Sequence, residues 1–236
     1  MADPVEALVL DLLEWIGPKS RPYSEVIAAW RTSCPRLPVW EEANERGFVD
    51  HHHTPDQGTQ LPGGTNHEDA MPVGGLSTRC IGCGGLVPQM DGPTHRYMES
   101  SPGCWHVYGE LLAREYSDQA FRVAHRLTVD SYAVQHPGRP TPQAIQSVCL
   151  HLISLCLVVE RGLTAAYATR VMGAATRLKG QFFWLTPPVS LGAVTVSDVA
   201  SPATASQHEE RVRAWAEAAW SAWAQHHATV RGWLPA

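Results

Sequence analysis

The sequence predicts a mainly α-helical protein, a helical bundle preceded by a small helical unit at the N-terminus. Three observations support this class. Apolar residues recur at helical spacing in segments that Pro and Gly bound. A pair of cysteines, Cys80 and Cys83, is flanked by glycines and predicts a metal-binding knuckle before the bundle. With 236 residues, of which 44% are hydrophobic, the chain can bury a sizeable core.

The chain divides by composition into three segments. Residues 1–50 are predicted to form a small helical unit, with helices at about 5–15 and 24–31. Residues 51–77 begin with three histidines and are rich in Pro, Gly, Thr and Asn, which is typical of a flexible linker. Residues 78–236 are expected to form the main domain, which carries the metal site.

The main domain is expected to contain five helices, most of them joined by short connections, which favours a bundle. N-capping residues and N-terminal prolines mark their starts, and Gly or Pro marks several of their ends. The short stretch 194–196 is β-prone. The predicted helices span about 101–116, 118–135, 141–162 and 164–180, and the last begins at a capping box of Ser206 and Glu209.

Composition and charge argue against several classes of partner. The net charge of −5 and the pI near 6.2 give no general attraction to nucleic acid or to anionic lipid. No run of eighteen apolar residues predicts a membrane span, and the acidic residues in the first seventeen are not typical of a signal peptide. We therefore expect a cytoplasmic protein without membrane or nucleic-acid partners. A protein partner or a homo-oligomer is left open.

Three cysteines predict a zinc site. The two-residue gap between Cys80 and Cys83 lets both sulfurs face one ion, and the glycines after them let the backbone turn tightly. Cys104 follows with 20 residues between it and Cys83, which is near the spacing expected of a zinc ligand. It also lies in the first turn of a predicted helix, whose dipole stabilises a thiolate. One coordination position remains for a histidine.

Three histidines compete for that position. His95 lies in the loop before the predicted helix and could fold back, and His125 lies on the next helix. His106 is nearest to Cys104, but helical geometry turns it about 200° away. His95 and His125 are therefore equal alternatives, with His106 third. A redox Cys-x-x-Cys is less favoured, because such a motif opens a helix after a strand and Gly84-Gly85 does not continue as one.

A second group of polar residues predicts a candidate pocket between helices. Asp130, Tyr132 and His136 lie on the same predicted helix as His125, and His151 lies on the following one. One ion cannot bind both His125 and His136, which are separated by about 16 Å along the helix axis. His125 or Tyr132 could instead meet Asp130 and His151. Metal-dependent bundle enzymes build sites in this way, whereas buried polar residues hydrogen-bonded between helices are the alternative interpretation.

The main domain carries the motifs Cys80-x-x-Cys83-Gly, Asp91-Gly-Pro-Thr-His95, Ser101-Pro-Gly-Cys104-Trp105, Tyr108-Gly-Glu110 and Arg126-Leu-Thr-Val-Asp130-x-Tyr132-Ala-Val-Gln135-His136-Pro137. These motifs, over about residues 79–185, resemble those of a bacterial family of uncharacterised proteins, the domain of unknown function numbered 5946. The resemblance implies no established activity. It implies that the three cysteines belong to the family's pattern together with His95, His125, Asp130, His136 and His151. Residues 21–48 resemble short bacterial winged-helix-like proteins.

These patterns leave three functional hypotheses, and whether the chain is an enzyme is left open. The first is a non-catalytic helical module whose zinc is held by three cysteines and one histidine. The second is a metal-dependent enzyme with a site at His125, Asp130 and His151, which would require an open coordination position. The third is a DNA-binding regulator acting through residues 1–50. That segment holds nine acidic and five basic residues, so phosphates would repel it.

Overall fold

The computed structural model describes residues 76–175, 180–202 and 204–234. The chain divides between Gly74 and Gly75, so all of these residues belong to its second unit. The predicted helical unit at 1–50 and nearly all of the predicted linker at 51–77 lie outside the described residues. The described part is mainly helical, which confirms the predicted fold class.

A small hairpin precedes the helices. Strands β1 (Ser77–Arg79) and β2 (Leu86–Pro88) pair in antiparallel fashion, with Thr78 opposite Val87. A π-helical turn, Cys156–Glu160, continues the fourth helix, and a 3-10 turn, Ala224–His226, joins the last two. The helices are α1 (Pro102–Ser117), α2 (Gln119–Arg122), α3 (His125–Gln135), α4 (Pro142–Leu155), α5 (Ala165–Ala175), α6 (Val196–Val199), α7 (Ala205–Ala222) and α8 (His227–Gly232).

Helix α3 lies at the centre of the bundle and packs against α4 and α7. Ten of its eleven residues are buried, although several of them are polar. Gln135 shows how such a residue is accommodated: its amide oxygen accepts from Trp215 Nε1 at 2.8 Å, and its amide nitrogen donates to the carbonyls of Leu191 and Val194 at 2.9 and 2.8 Å. Because these hydrogen bonds replace water, Gln135 fastens α3 to α7 and to the loop before α6.

One described stretch, Pro142–Glu160, is long and apolar enough to cross a membrane by length and composition alone. However, 72% of that window is buried inside the protein. Leu152, Ile153 and Leu155 are fully enclosed by neighbouring helices. Core packing therefore accounts for the apolar character of α4.

Three of the predicted elements differ in the structure, two of them because of local capping. The predicted helix at 118–135 is interrupted at residues 123–124, between α2 and α3. The prediction of β structure at 194–196 was wrong, because Thr195 and Asp198 form a capping box that starts α6. The predicted capping box at Ser206 was also wrong, since the side chain of Thr204 accepts from Gln207 N at 3.2 Å and starts α7 earlier.

Candidate metal centre

Four side chains converge between the hairpin and the bundle. They are Cys80, Cys83, Cys104 and His136, and their ligand atoms all lie within 4.8 Å of one another. The sulfurs of Cys83 and Cys104 are 3.9 Å apart. His136 Nε2 lies 3.4 Å from Cys104 Sγ and 3.6 Å from Cys80 Sγ. Three sulfurs and one imidazole around one point form a donor set that suits a transition-metal ion.

The knuckle that carries Cys80 and Cys83 is the loop of the hairpin. Cys80 follows β1 directly, and its amide donates to the carbonyl of Gly85 at 2.8 Å. Gly84 N donates back to the carbonyl of Cys80 at 3.0 Å. Gly84 has φ of +74°, a conformation that a residue with a Cβ seldom adopts. The loop therefore turns tightly enough to bring both cysteines to one side.

Helix α1 supplies Cys104 in its first turn and is tied to the knuckle by Ser101. Ser101 occupies the N-cap position of α1, but its side chain makes no capping hydrogen bond. Instead, Ser101 Oγ accepts from Ile81 N at 3.1 Å, and Ser101 N donates to Cys80 Sγ at 3.4 Å. One residue thus links the start of α1 to both the backbone and a sulfur of the knuckle.

His136 lies immediately after the last residue of α3. Its Nδ1 is 2.7 Å from the carbonyl oxygen of Tyr132, which can only accept, so Nδ1 carries the proton. This directs Nε2 at the sulfurs, the arrangement by which outer hydrogen bonds orient metal-binding histidines. The ring of Tyr132 stacks on His136 at 4.0 Å and on Tyr108 at 3.8 Å. His136 is therefore held in place from two sides.

The fourth member of the group is His136, where the sequence favoured His95 or His125. His95 Nδ1 accepts from Met98 N at 3.2 Å, away from the cluster. His125 is bound to a buried carboxylate. His106 is half exposed and faces Glu110, on the outer side of α1. From the sequence, His136 was grouped with the candidate pocket instead. Local sequence patterns do not reveal that the end of α3 contacts the knuckle after folding.

The predicted pocket residue His125 belongs to a network around Glu115. The carboxylate of Glu115 is fully buried and accepts from His125 Nδ1 at 2.7 Å and from His208 Nε2 at 2.8 Å. Thr128 Oγ1 donates to it at 2.5 Å. Burial opposes its ionisation, but the hydrogen bonds from the two histidines outweigh burial and lower the pKa of Glu115. Glu115 was not identified from the sequence, since its partners come from two other helices, α3 and α7.

Asp130 and His151 form a second network. Asp130 is fully buried and accepts from His151 Nδ1 at 2.7 Å and from Ser154 Oγ at 2.5 Å. Arg126 Nη2 lies 3.3 Å from the same carboxylate. His125 and His151 thus bind different carboxylates. Across 76–175, 180–202 and 204–234, the three cysteines and His136 are the only group of His, Cys, Asp and Glu placed to hold a metal, so the predicted site between helices is not assembled.

The charges within the Cys₃His group depend strongly on one another. Hydrogen bonds from Cys104 and Cys83 hold the pKa of Cys80 far below its ordinary value, and the hydrogen bond with Cys80 raises the pKa of Cys104 far above its own. Burial opposes a charge on His136, yet hydrogen bonds to Cys80 and Cys83 raise its pKa to about 9. The group therefore favours at least one buried thiolate together with a neighbouring positive charge.

A cleft of about 550 Å³ lies next to one member of the group. Cys83, Gly84 and Gly85 form one wall, and the loop from Leu191 to Thr195 forms another. Cys83 is 9% exposed, compared with 3% for Cys80 and 0% for Cys104. Cys83 is therefore the most exposed of the three cysteines.

Substituting Gly82 by alanine is expected to displace His136. A Cβ at this position would overlap the carbonyl oxygen of Glu99 and Cδ2 of the His136 ring. Since neither the backbone nor the stacked ring can move freely, we expect Gly82→Ala to weaken metal binding at least tenfold, or about 1.4 kcal/mol. Competition titration with a chromogenic chelator measures this change.

Gly173 provides the matched control for that substitution. It lies within α5, and a Cβ there would have open space around it. Gly173→Ala is expected to leave metal affinity unchanged and to stabilise the helix by about 0.5–1 kcal/mol. Equal metal affinities for the two variants would contradict the close contact of the knuckle with His136.

Comparison with known proteins shows the family of this chain. A family model described as a family of unknown function (DUF5946) matches residues 78–224, so the chain belongs to that family. No curated protein and no solved structure matches the chain. The matched range contains all four members of the Cys₃His group.

Proposed function

We propose that this member of the family holds one zinc ion on Cys80, Cys83, Cys104 and His136, and that the ion fastens the hairpin to the helical bundle. A structural zinc site of this kind has four protein ligands and no open position. The protein would then be a zinc-stabilised helical module.

The geometry of the four donors is the observation that carries this proposal. Zn–S distances of about 2.3 Å and a Zn–N distance of about 2.0 Å place tetrahedral sulfurs about 3.8 Å apart and sulfur and nitrogen about 3.5 Å apart. The sulfurs of Cys83 and Cys104 are 3.9 Å apart, and His136 Nε2 lies 3.4 and 3.6 Å from two sulfurs. A single tetrahedral zinc ion fits these distances.

The position of the group in the fold supports a structural role. Its ligands come from the hairpin loop, the first turn of α1 and the end of α3. The hairpin is too short to bury a core of its own, with three residues in each strand. Zinc binding would therefore contribute directly to the folding of this region, since the unfolded chain has no preformed site.

Metal analysis of two histidine variants tests the ligand set. We expect wild-type protein and His125→Ala to contain about one zinc per chain after dialysis against a weak chelator, as one tetrahedral site requires. His136→Ala is expected to lose most of its zinc under the same conditions, because a three-ligand site competes less well for the ion. Inductively coupled plasma mass spectrometry measures the content.

The same experiment can contradict the proposal in two ways. Zinc retention by His136→Ala together with loss by His125→Ala would assign the fourth position to the other histidine. Wild-type protein that takes up no zinc from a buffered zinc solution would exclude the site altogether. Far-ultraviolet circular dichroism of both variants verifies that each remains folded.

The alternative functions receive less support. A metal enzyme at His125, Asp130 and His151 would need these residues to share a site, but they belong to two separate networks. DNA binding through residues 1–50 concerns a segment outside the described residues and stays a prediction that its acidic charge disfavours. A cytoplasmic location and a protein partner or homo-oligomer also stay predictions.

A further inference from the structure

Cys83 differs from the other two sulfur ligands in its access to small molecules. It lines the cleft of about 550 Å³ and is 9% exposed, whereas Cys104 is 0% exposed. Gly84, its neighbour in the wall of the cleft, has open space where a side chain would stand. A small solute can therefore reach Cys83 from the cleft, while Cys104 is enclosed by the bundle.

Cys83 also differs in its hydrogen bonds. Ser101 N donates to the sulfur of Cys80 at 3.4 Å. Within the part of the chain that the structure describes, no backbone N–H donates to the sulfur of Cys83. A hydrogen bond from N–H stabilises negative charge on a thiolate and reduces its nucleophilicity. Of the two knuckle cysteines, Cys83 is thus the more exposed residue, and a negative charge on its sulfur is stabilised by fewer N–H donors.

A partner for a second step lies close by. The sulfur of Cys104 is 3.9 Å from the sulfur of Cys83, which is about 2 Å more than the length of a disulfide bond. The knuckle that carries Cys83 is a surface loop whose tip residue Ile81 is 71% exposed. A modest movement of this loop would bring the two sulfurs together without rearranging the helices.

We propose that Cys83 is an oxidation site of the zinc centre, with hydrogen peroxide or a related small peroxide as the oxidant. This inference rests on the proposed zinc site. The Cys83 thiolate attacks one peroxide oxygen, an S–O bond forms, the O–O bond breaks and hydroxide leaves. The Cys104 thiolate then attacks the sulfenic sulfur and expels a second hydroxide, which yields a Cys83–Cys104 disulfide. The loss of two thiolate ligands releases the zinc ion.

Peroxide titration of the zinc-loaded full-length chain tests the proposal. Zinc release is followed with a chromogenic chelator, and the modified cysteines are identified by differential alkylation and mass spectrometry. We expect one zinc released for each peroxide consumed, with Cys83 and Cys104 recovered in one disulfide-linked peptide pair. Early modification of another cysteine with zinc still bound would overturn the proposal.

Narrowing the cleft provides a variant that leaves every ligand in place. Ala193 is exposed and lines the cleft, so Ala193→Trp is expected to slow peroxide-driven zinc release severalfold. Ala166→Trp, on the exposed face of α5 and outside the cleft, is expected to react at the wild-type rate. Equal rates for both variants would show that peroxide does not reach the site through the cleft and would contradict the assignment.

The outcomes also separate this inference from the proposed function. A wild-type chain that binds no zinc would remove the basis of both. A chain that binds one zinc and keeps it while excess peroxide oxidises other residues would leave the structural site intact and refute only the oxidation site.

Discussion

Replacing Cys104 by serine is expected to lower the melting temperature of the zinc-loaded protein by about 8–16 °C. Cys104 is completely buried in the first turn of α1, where it joins the knuckle to the bundle. An ion present at a thousand times its dissociation constant stabilises a fold by about 4 kcal/mol, and each kcal/mol changes the melting temperature by about 2–4 °C for a chain of this size. Differential scanning calorimetry with free zinc held constant measures the difference.

Cys149→Ser is the matched control for this substitution. Cys149 is as deeply buried as Cys104, but its sulfur donates to the carbonyl of Phe183 and lies outside the metal group. We expect the melting temperatures of this variant and of the wild type to fall by similar amounts when a strong chelator is added. Cys104→Ser should not respond to the chelator. A wild-type melting temperature that is indifferent to chelation would contradict a stabilising role for the ion.

Substituting Glu115 by glutamine is expected to cost about 3–5 kcal/mol of unfolding free energy, the range observed when one partner of a buried ionic network is removed. The carboxylate accepts from His125, His208 and Thr128 within the core. An amide in its place would offer hydrogens to groups that are already donors. Urea denaturation of the wild type and the variant measures the change.

Glu110→Gln serves as the control for the Glu115 substitution. The side chain of Glu110 is 65% exposed and faces His106 on the surface of α1. We expect its removal to change the unfolding free energy by no more than about 0.5 kcal/mol. Similar losses for the two variants would contradict the assignment of Glu115 as a buried acceptor.

The Glu115 effect should also depend on pH. Its pKa is lowered in the folded protein, so its contribution to stability is fully present above the unfolded value of 4.5 and is lost as the pH falls through the folded value. The stability difference between wild type and Glu115→Gln is therefore expected to be constant near neutrality and to shrink in acid. Zinc loss in acid affects both proteins alike and cancels in the difference.

The three anchored polar residues of α3 explain why so polar a helix can be buried. His125 at its start binds Glu115, Asp130 near its middle binds His151, and His136 just past its end faces the sulfurs. Each partner comes from a different part of the fold. Because these three side chains have partners, α3 can occupy the centre of the bundle, which an apolar pattern alone would not predict.

The sequence predicted the parts of the site that depend on local geometry. The spacing of Cys80 and Cys83, the glycines after them and the position of Cys104 in a first helical turn all act over a few residues. The identity of the histidine depends instead on where the end of α3 lies after the bundle has packed. His125 was a plausible ligand because it is near α1 in the chain, but Glu115 near the end of α1 already binds it.

The predicted helices show the same limit. Their apolar periodicity and prolines located most of them, since these signals act within one or two turns. The three residues of 194–196 were too few for a pattern, and the capping bond between Thr195 and Asp198 decided their conformation. Element boundaries depend on such side-chain contacts, which composition does not reveal.

X-ray absorption spectroscopy at the zinc edge tests the central claim most directly. The proposed site predicts a first shell of three sulfurs at about 2.3 Å and one nitrogen at about 2.0 Å, with the outer-shell scattering of an imidazole ring. Loss of that imidazole signal in His136→Ala would assign it to His136. A shell of oxygen and nitrogen without sulfur, or a protein that carries no zinc, would contradict the account.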